Sequence, residues 1–527
     1  MKLNNSSFTH PPTPSRQGRG RRQGTQYSKI LDRRACGILL HPTSLPGPGG
    51  IGTLGADARK FIDLLQAMGM RYWQVLPLSP PACGNSPYSA FSAFAGNPLL
   101  IDLEQLIAEG DLISSAEHGD FPENRVDFGA VIEQKGRLLR QAAVTFLQQA
   151  PSERLQEFHR FCAETPWLQD YTLFMALKQR DGGAVWSCWP QEAAFPTAAV
   201  KERLFAECRD EIALQGYLQW QLFRQWHALR HYANQRGVAV IGDIPIFVGY
   251  DSADVWSRRE LFLLDEQGAP RVVAGVPPDY FSATGQLWGN PLYDWQRMEQ
   301  EGYCWWVDRF RGLFDQFDLV RVDHFRGFEA AWHIPAHAET AVQGRWVAGP
   351  AERLFDALQQ QLGTLPIIAE DLGVITPEVL ALRDRYGFPG MKILQFGFDA
   401  DLDDRDLPHN HVRNGVVYTG THDNDTSNGW YAARSEAERA AMHAYLGTVP
   451  GHGADDLIRA ALMSVAATVV IPLQDILGLG SEARMNIPGT PFGNWEWRFC
   501  WEMLPDDLAA TVRSRLKRYD RICQEDI

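Results

Sequence analysis

Eight short apolar runs, each rich in β-branched residues and each ending in polar residues, constrain this 527-residue chain more than any other feature. Stretches with helical periodicity separate the runs, and strands that alternate with helices form parallel βα units. Eight such units predict an α/β protein built on a closed (β/α)8 TIM barrel, whose functional site lies at the C-terminal ends of the strands. The runs are residues 37–40, 72–78, 238–247, 319–323, 366–370, 391–396, 416–421 and 469–473.

An open, doubly wound sheet is the alternative arrangement of alternating strands and helices. Such a sheet normally carries a Gly-rich GxGxxG turn after its first strand. The first run here continues instead into residues 41–47, HPTSLPG, which contain no such turn. Because proline-rich sequence at this point does not open a helix either, the closed barrel is favoured.

The spacing of the runs predicts a large helical insertion and long loops at the barrel rim. About 160 residues separate the second run from the third, far more than one crossover helix needs. We therefore assign residues 99–234 to a mostly helical insertion subdomain, and residues 35–98 and 235–527 to the barrel with its rim insertions. Helical periodicity is clearest at 127–149, 151–164, 167–180 and 199–236, the last closed by Gly237. A second long connection, residues 249–317, is rich in Pro, Gly and aromatic residues, which is typical of functional loops on this face.

The first 34 residues differ in composition from the rest and predict a disordered basic tail. They contain eight Lys or Arg, one acid and few apolar residues. Because they include no apolar h-region, they do not form a secretory signal. We interpret these residues as a solvated basic tail and expect a cytoplasmic protein. An Arg- and Ser-rich, acid-poor leader also resembles an organelle transit peptide, so a plastid is the alternative.

Charge and cysteine usage exclude several classes of function. The net charge is −14, whereas proteins that bind nucleic acid through its phosphates are normally basic. No window approaches the roughly 18 consecutive apolar residues of a membrane span.

None of the eight cysteines has the CxxC spacing of a zinc site, so we expect reduced core thiols and no disulfide framework. The sequence also has no phosphate-binding Gly loop and no clear metal-ligand cluster, so we expect no cofactor and no metal.

Acidic residues stand at the ends of three predicted strands, beginning with the fourth run. There Arg321 and Asp323 are two residues apart and therefore point to the same face, the barrel interior. A guanidinium beside a carboxylate keeps the carboxylate ionised and oriented, as a nucleophile requires. A structural ion pair inside the barrel would give the same pattern.

The fifth and seventh runs end in acids as well. In the fifth, Glu370 stands at the rim, where burial and neighbouring carboxylates should raise its pKa, as a general acid requires. An acid at the start of the following helix is the structural alternative. His422 and Asp423 follow the seventh run and could bind a substrate with adjacent hydroxyls. Asp425 or Thr426 suffices to cap the next helix, which leaves Asp423 without a structural role.

Enzymes that cleave glycosidic bonds use a pair of acidic residues, one on each side of the bond. A nucleophile and an acid/base about 5 Å apart act with retention of configuration, through a covalent glycosyl intermediate. The aromatic residues support a sugar ligand, because several of the 17 tryptophans stand beside Gly and Asn in predicted loops, at 287–290 and 493–498. Anchoring of the loops is the structural alternative for each of these tryptophans.

Seven long motifs resemble those of the 4-α-glucanotransferases, also called amylomaltases or disproportionating enzymes, which are relatives of the α-amylases. The resemblance covers nearly all of the chain after about residue 35, and the motif residues show no departure from the family pattern. The motifs are SPYSAFSAFAGNP (86–98), GDIPIFVGYDSADVW (242–256), GVPPDYFSATGQLWGNPLYDW (275–295), RVDHFRG (321–327), AEDLG (369–373), GTHDNDT (420–426) and MNIPGTPFGNWEWR (485–498).

The resemblance implies a set of catalytic and sugar-binding residues. Asp323 is expected to be the nucleophile, Glu370 the acid/base, and Asp423 the third acid, which binds hydroxyls of the donor sugar and favours its distorted ring. The implied substrates are α-1,4-glucans such as maltodextrins, starch or glycogen chains, with glucose as an acceptor. The expected substrate contacts are Arg321, His422, Asp279 in a lid-like loop with Tyr280 and Phe281, and Tyr88, Trp288 and Asn494.

Three functions are compatible with the sequence. The first is retaining transfer of an α-1,4-glucan segment from a maltodextrin to the 4-hydroxyl of glucose or another glucan, through a covalent glycosyl-Asp intermediate. The second is amylase-type hydrolysis of α-1,4-glucans by the same acids. Loops 275–295 and 485–498 favour the first, because transfer needs water to be kept out. The third, a non-catalytic glucan-binding protein, would have no need of all three acids.

Overall fold

The computed structural model of this chain describes residue 31 and residues 33–82, 84–114, 119–278, 282–398, 404–451 and 453–523. Most of the predicted tail, residues 1–34, lies outside the described residues, as do Asp279, Tyr280 and Phe281. No helix in the described part of the chain is long and apolar enough to cross a membrane.

Twelve β-strands are present in these ranges, and eight of them form one closed parallel barrel. The strands are β1 (Ala35–Leu39), β2 (Tyr72–Gln74), β3 (Ala239–Pro245), β4 (Val272–Val276), β5 (Gln286–Pro291), β6 (Leu319–Asp323), β7 (Ala330–Pro335), β8 (Arg345–Ala348), β9 (Ile367–Ala369), β10 (Gly390–Ile393), β11 (Gly415–Tyr418) and β12 (Thr468–Pro472). Around the barrel they follow the order β1-β2-β3-β6-β9-β10-β11-β12, and Ile38 of β1 pairs with Ile471 of β12 to close it.

Each of the eight predicted runs overlaps one barrel strand, and barrel strands that follow one another in the chain are neighbours in the barrel, so the predicted fold is confirmed. The strands are apolar on both faces because helices cover the outside and side chains fill the inside. Several runs extend past their strand at its C-terminal end, as at Gln74, where β2 stops four residues before the run does. These extensions form the start of the rim loops.

Nineteen α-helices are found in the described residues, and those between β2 and β3 include every helix of the predicted insertion. The helices are α1 (Ala56–Met68), α2 (Leu103–Ala108), α3 (Phe128–Gln149), α4 (Ser152–Glu164), α5 (Leu168–Arg180), α6 (Gln191–Ala194), α7 (Ala198–Glu207), α8 (Arg209–Gln235), α9 (Ala253–Ser257), α10 (Trp295–Gln300), α11 (Cys304–Gln316), α12 (Glu352–Leu362), α13 (Pro377–Arg385), α14 (Leu394–Gly397), α15 (Ser427–Ala433), α16 (Glu436–Leu446), α17 (Gly453–Met463), α18 (Leu473–Ile476) and α19 (Leu508–Arg518).

The predicted helix over 199–236 is wrong as a single element, because the backbone leaves helical geometry at Cys208 and separates α7 from α8. The C-terminal part of α8 packs on the barrel: the Trp226 indole donates a 3.0 Å hydrogen bond to the Gln316 carbonyl, and Arg230 pairs with Asp318 at 2.8 Å. Gly237, with φ of 72°, follows this helix as predicted. The division of the chain at residues 99 and 234 stays a prediction.

A second, antiparallel sheet was not predicted. Its four strands follow the order β5-β4-β7-β8 and come from the long connections after β3 and β6. Val273, Ile334 and Ala341 form part of a small separate core beneath this rim sheet. The long connection predicted at 249–317 is thus partly a folded sheet at the rim.

The opposite end of the barrel is closed by a buried arginine. Arg521 is fully buried and donates hydrogen bonds to five backbone carbonyls near the N-terminal ends of β1 and β12. Burial lowers the pKa of its guanidinium to about 10, so it stays charged at neutral pH. This end therefore serves stability, while the polar strand ends lie at the other rim.

The cysteines correct one expectation. All seven described cysteines are free, but only Cys36 is buried, so the prediction of core thiols is wrong for the other six. Cys188 and Cys304 are exposed because they are terminal residues of surface helices, Cys188 the last of a short 3-10 helix and Cys304 the first of α11.

Candidate active site

Three predicted acids lie at the C-terminal ends of barrel strands. Asp323 is the last residue of β6, Glu370 directly follows β9, and Asp423 lies in the loop between β11 and α15. Thr426 caps α15 by accepting the Gly429 N–H at 3.1 Å, so the cap does not need Asp423, as the sequence predicts. The fold therefore brings all three acids to one rim.

Arg321 ties two of the strands together through carboxylates in the barrel interior. Its Nη2 donates to Asp323 Oδ1 at 2.8 Å, so the two residues do share one face of β6. Its Nη1 donates to both oxygens of Asp243 on β3, at 2.8 and 2.7 Å. Burial alone would lower the pKa of Arg321, but the charges of Asp243 and Asp323 raise it well above its ordinary value.

Asp243 is a site residue that the sequence reasoning missed. Its carboxylate is fully buried and also accepts the Tyr88 hydroxyl at 2.7 Å. Burial raises the pKa of Asp243, and the Arg321 guanidinium opposes that rise. The signal was available, since Asp243 is an acid inside a buried strand, two residues before its C-terminal end and level with Arg321.

Glu370 lies in a dry environment at the end of β9. It is 8% exposed, and its two carboxylate oxygens accept backbone N–H groups of Leu372 at 2.8 Å and His324 at 2.6 Å. Burial, and secondly the charge of Asp323, raise the pKa of Glu370 to about 8, although the N–H donors act in the opposite direction. His324 adopts φ of 52°, a left-handed conformation that aims its N–H at this carboxylate. The neighbouring Asp371 is engaged structurally, by Arg383 and by the Met391 N–H.

The loop after β11 joins Asp423 to a stacked pair of rings. His422 stacks on Tyr88 with ring centroids 5.0 Å apart, and its Nε2 is 3.4 Å from Asp423 Oδ1. The Asp423 side chain is half exposed, and Asn486 donates to its Oδ1 at 2.6 Å. Asn486 was also missed, because a polar residue in the Gly- and Pro-containing segment 485–498 was treated only as part of a loop.

Of the other predicted substrate contacts, the structure connects Trp288 to the acids but not Asn494. Trp288 is 38% exposed and packs edge-on against the ring of His324, the residue after Asp323, with ring centroids 4.8 Å apart. The Asn494 amide is used inside its own loop, where Nδ2 donates to the Thr490 carbonyl and Oδ1 accepts the Ile487 N–H, both at 2.9 Å. Asp279 lies outside the described residues.

Trp495 and Trp497 of the same loop are buried, which is loop anchoring rather than an open sugar platform. Trp495 packs near the His422 and Tyr88 rings, with centroids 5.8 and 5.9 Å away. The loop is thereby fixed against the rings that adjoin Asp423. Within the described ranges, no group of three or more His, Cys, Asp or Glu could hold a metal ion.

Comparisons with known proteins identify relatives along nearly the whole chain. A family model described as 4-α-glucanotransferase, glycoside hydrolase family 77, matches residues 40–503. The 4-α-glucanotransferase of Thermus thermophilus is 50% identical over 501 residues, which cover 92% of this chain and 97% of that protein. The 4-α-glucanotransferase, chloroplastic/amyloplastic, of Solanum tuberosum is 45% identical over 93% of this chain and 87% of its own length.

A solved structure has the same fold. Amylomaltase from Streptococcus agalactiae in complex with acarbose superposes with a TM-score of 0.89 at 36% identity, over 93% of this chain and 100% of that one. Sequence motifs, family model and superposition agree. The chain belongs to the 4-α-glucanotransferase family.

Proposed function

We propose that this chain transfers α-1,4-glucan segments with Asp323 as nucleophile, Glu370 as acid/base and Asp423 as a ligand of the donor sugar. The observation that supports the assignment is the contrast between the first two environments. Asp323 pairs with a buried guanidinium, while burial and the charge of Asp323 raise the pKa of Glu370 to about 8. A carboxylate paired with a cation, next to a carboxyl group with a raised pKa, is what retaining glycoside cleavage requires.

In the first step, an Asp323 carboxylate oxygen attacks the anomeric carbon of a bound glucan. The bond from that carbon to the glycosidic oxygen breaks, and the proton of Glu370 passes to the leaving oxygen. A shorter glucan with a free 4-hydroxyl departs, and the donor segment stays as a glycosyl ester of Asp323. Glu370 is now a carboxylate, which the Leu372 and His324 N–H groups stabilise.

In the second step, the 4-hydroxyl of an acceptor glucan loses its proton to Glu370 and attacks the same anomeric carbon. The ester bond to Asp323 breaks, the nucleophile is restored as a carboxylate, and Glu370 is protonated again. Two inversions at one carbon give net retention of the α configuration. The reaction needs no cofactor, since every proton that moves starts and ends on Glu370 or on a sugar hydroxyl.

Asp423 and His422 suit the hydroxyls of the donor sugar. Asp423 is half exposed and its side chain is oriented by Asn486, while His422 is held by stacking on Tyr88. A carboxylate oriented in advance binds best where positive charge develops on the sugar ring, so its contribution is largest in the transition state.

Transfer and hydrolysis share the first step and differ in whether a glucan or water attacks the intermediate. Transfer requires a bound acceptor and exclusion of water. Loop 485–498 is braced by Asn494 and by two buried tryptophans, which supports transfer over the amylase-type alternative. Family membership supports the same choice.

Incubation with pure maltotriose tests the proposal. Transfer should yield glucose and a ladder of longer maltodextrins with no net gain in reducing ends. Glucose and maltose with a rising number of reducing ends would instead show hydrolysis. No reaction by the wild type under any condition would favour a binding protein.

The compartment is a separate proposal. We propose the cytoplasm. A plastid is the alternative, because residues 1–34 are basic and poor in acids, as transit peptides are. Two plant relatives, from Solanum tuberosum and Arabidopsis thaliana, carry the description chloroplastic/amyloplastic. A fluorescent protein fused behind residues 1–34 and expressed in plant cells should stay in the cytoplasm, and its entry into plastids would establish the alternative.

A further inference from the structure

Two tryptophans are exposed, and both contact the segment that follows Asp323. The structure describes all 17 tryptophans, and only Trp288 and Trp346 are exposed, at 38% and 37%. They lie on β5 and β8, the two edge strands of the rim sheet. Trp288 contacts the ring of His324, and the Arg326 guanidinium lies 3.7 Å from the ring centroid of Trp346.

Trp346 is held rigidly by residues beneath and beside it. Arg326 is 5% exposed and donates to the Val374 carbonyl, so the guanidinium that covers one side of the indole cannot move freely. Trp332 lies directly opposite on β7 and packs against the Trp346 indole, with ring centroids 5.3 Å apart and an interplanar angle of 67°. Trp332 is itself fixed, because its indole N–H donates a 2.9 Å hydrogen bond to the Ala341 carbonyl. A fixed aromatic side chain loses little conformational entropy when a ligand binds.

The position of Trp346 is continuous with the acids. Arg326 is three residues from Asp323, and three residues span at most about 10 Å. Val374, to which Arg326 donates, is four residues after Glu370 and is exposed. The Trp346 indole therefore lies on the rim beside both loops that carry the catalytic carboxyl groups.

We propose that Trp346 forms an outer subsite for the α-1,4-glucan chain, an inference that rests on the proposed function. The apolar face of a sugar ring stacks on the exposed part of an indole, whose N–H remains available to a hydroxyl. A glucan cleaved between Asp323 and Glu370 that continues along this rim passes Trp346. Short substrates end before it, so the subsite favours long glucans over short ones.

The test is the ratio of kcat/KM for maltoheptaose to kcat/KM for maltotriose, measured from the initial loss of each sugar by chromatography. Trp346→Ala should lower this ratio about 3- to 10-fold, the range expected for loss of one aromatic stacking contact. Trp346→Phe keeps a ring and should recover most of the ratio. Val342→Ala is the matched control, since Val342 is 55% exposed beside the same sheet and has no aromatic ring.

Both kcat/KM values are measured on the same preparation of each variant. Partial unfolding therefore lowers both values by the same factor and leaves their ratio unchanged. An unchanged ratio in Trp346→Ala, with an active wild type, overturns the subsite. If that variant also elutes as a smaller species, the surface belongs to an interface between copies of this chain. A wild type that acts on neither sugar refutes the proposed function instead.

Discussion

Glu370→Gln should raise the thermal stability relative to the wild type at alkaline pH but not at acidic pH. Burial and the charge of Asp323 raise the pKa of Glu370 from its ordinary 4.5 to about 8. An acid with a raised pKa binds its proton more tightly in the folded than in the unfolded state. Its contribution to stability is therefore fully present below pH 4.5 and is lost as the pH rises to about 8.

The magnitude follows from the pKa values. A change from 4.5 to about 8 corresponds to about 5 kcal/mol, at 1.36 kcal/mol per pH unit. Unfolding entropies of about 2.1 cal/mol/K per residue give roughly 1 kcal/mol/K for a chain of this length, so the effect amounts to about 5 °C in Tm. The Gln amide also replaces one oxygen that accepts a backbone N–H from His324 or Leu372, but that loss is the same at every pH.

The assay is Tm by scanning fluorimetry between pH 5 and pH 9 for the wild type, Glu370→Gln and the exposed control Glu266→Gln. We expect the Tm of Glu370→Gln minus that of the wild type to rise by about 4 °C across this range, since a small part of the effect lies below pH 5. The same difference for Glu266→Gln should stay flat. A flat difference for Glu370→Gln as well would refute a raised pKa, and with it the acid role at neutral pH.

Three further outcomes follow from the same structure. Asp323→Asn should keep the wild-type Tm and lose turnover of maltotriose, and a variant that retains a tenth of the rate would exclude Asp323 as nucleophile. The kcat/KM for maltotriose should fall above about pH 8, because Glu370 is then ionised and cannot protonate the leaving oxygen; a profile that stays level to pH 9.5 would contradict this. Arg521→Ala should lower Tm by about 3 °C or more, because five buried carbonyls each lose one hydrogen-bond donor, whereas Arg515→Ala, at a side chain that is 41% exposed, should change it by less than about 1 °C. Equal changes in the two Arg variants would mean that the barrel floor does not depend on Arg521.

The barrel was predictable because its strands carry their own signal. A run such as 319–323 is apolar, short and ends in an acid, and the structure has β6 at the same residues. The rim sheet had no such signal. Its strand β5, QLWGNP, is largely exposed and contains Gly and Pro, so neither an apolar run nor alternation marks it. It is stabilised by pairing with β4, which sequence periodicity does not show.

The acids of the site and the pairing of Arg321 with Asp323 were predictable, but the further partners Asp243 and Asn486 were not. Asp323 and Glu370 are recognisable because each ends its own run. Asp243 becomes a partner of Arg321 only through the register of β3 on β6, where the two residues are paired. Asn494 was predicted to bind a sugar, but its side chain hydrogen-bonds within its own loop. The sequence cannot separate these two roles, because an asparagine in a motif has the same pattern in both.

The pairing of Arg321 with Asp243 also bears on how Asp323 can act as a nucleophile. A guanidinium that bound both oxygens of Asp323 would hold that carboxylate too firmly to attack carbon. Here Nη1 of Arg321 donates to both oxygens of Asp243. Asp323 receives only one hydrogen bond from the guanidinium, from Nη2 to Oδ1. Among the described residues, none donates a hydrogen bond to Asp323 Oδ2, so that oxygen can reach the anomeric carbon. Asp243 therefore holds the cation in place, and Asp323 is oriented by the same guanidinium while it keeps one oxygen for the reaction.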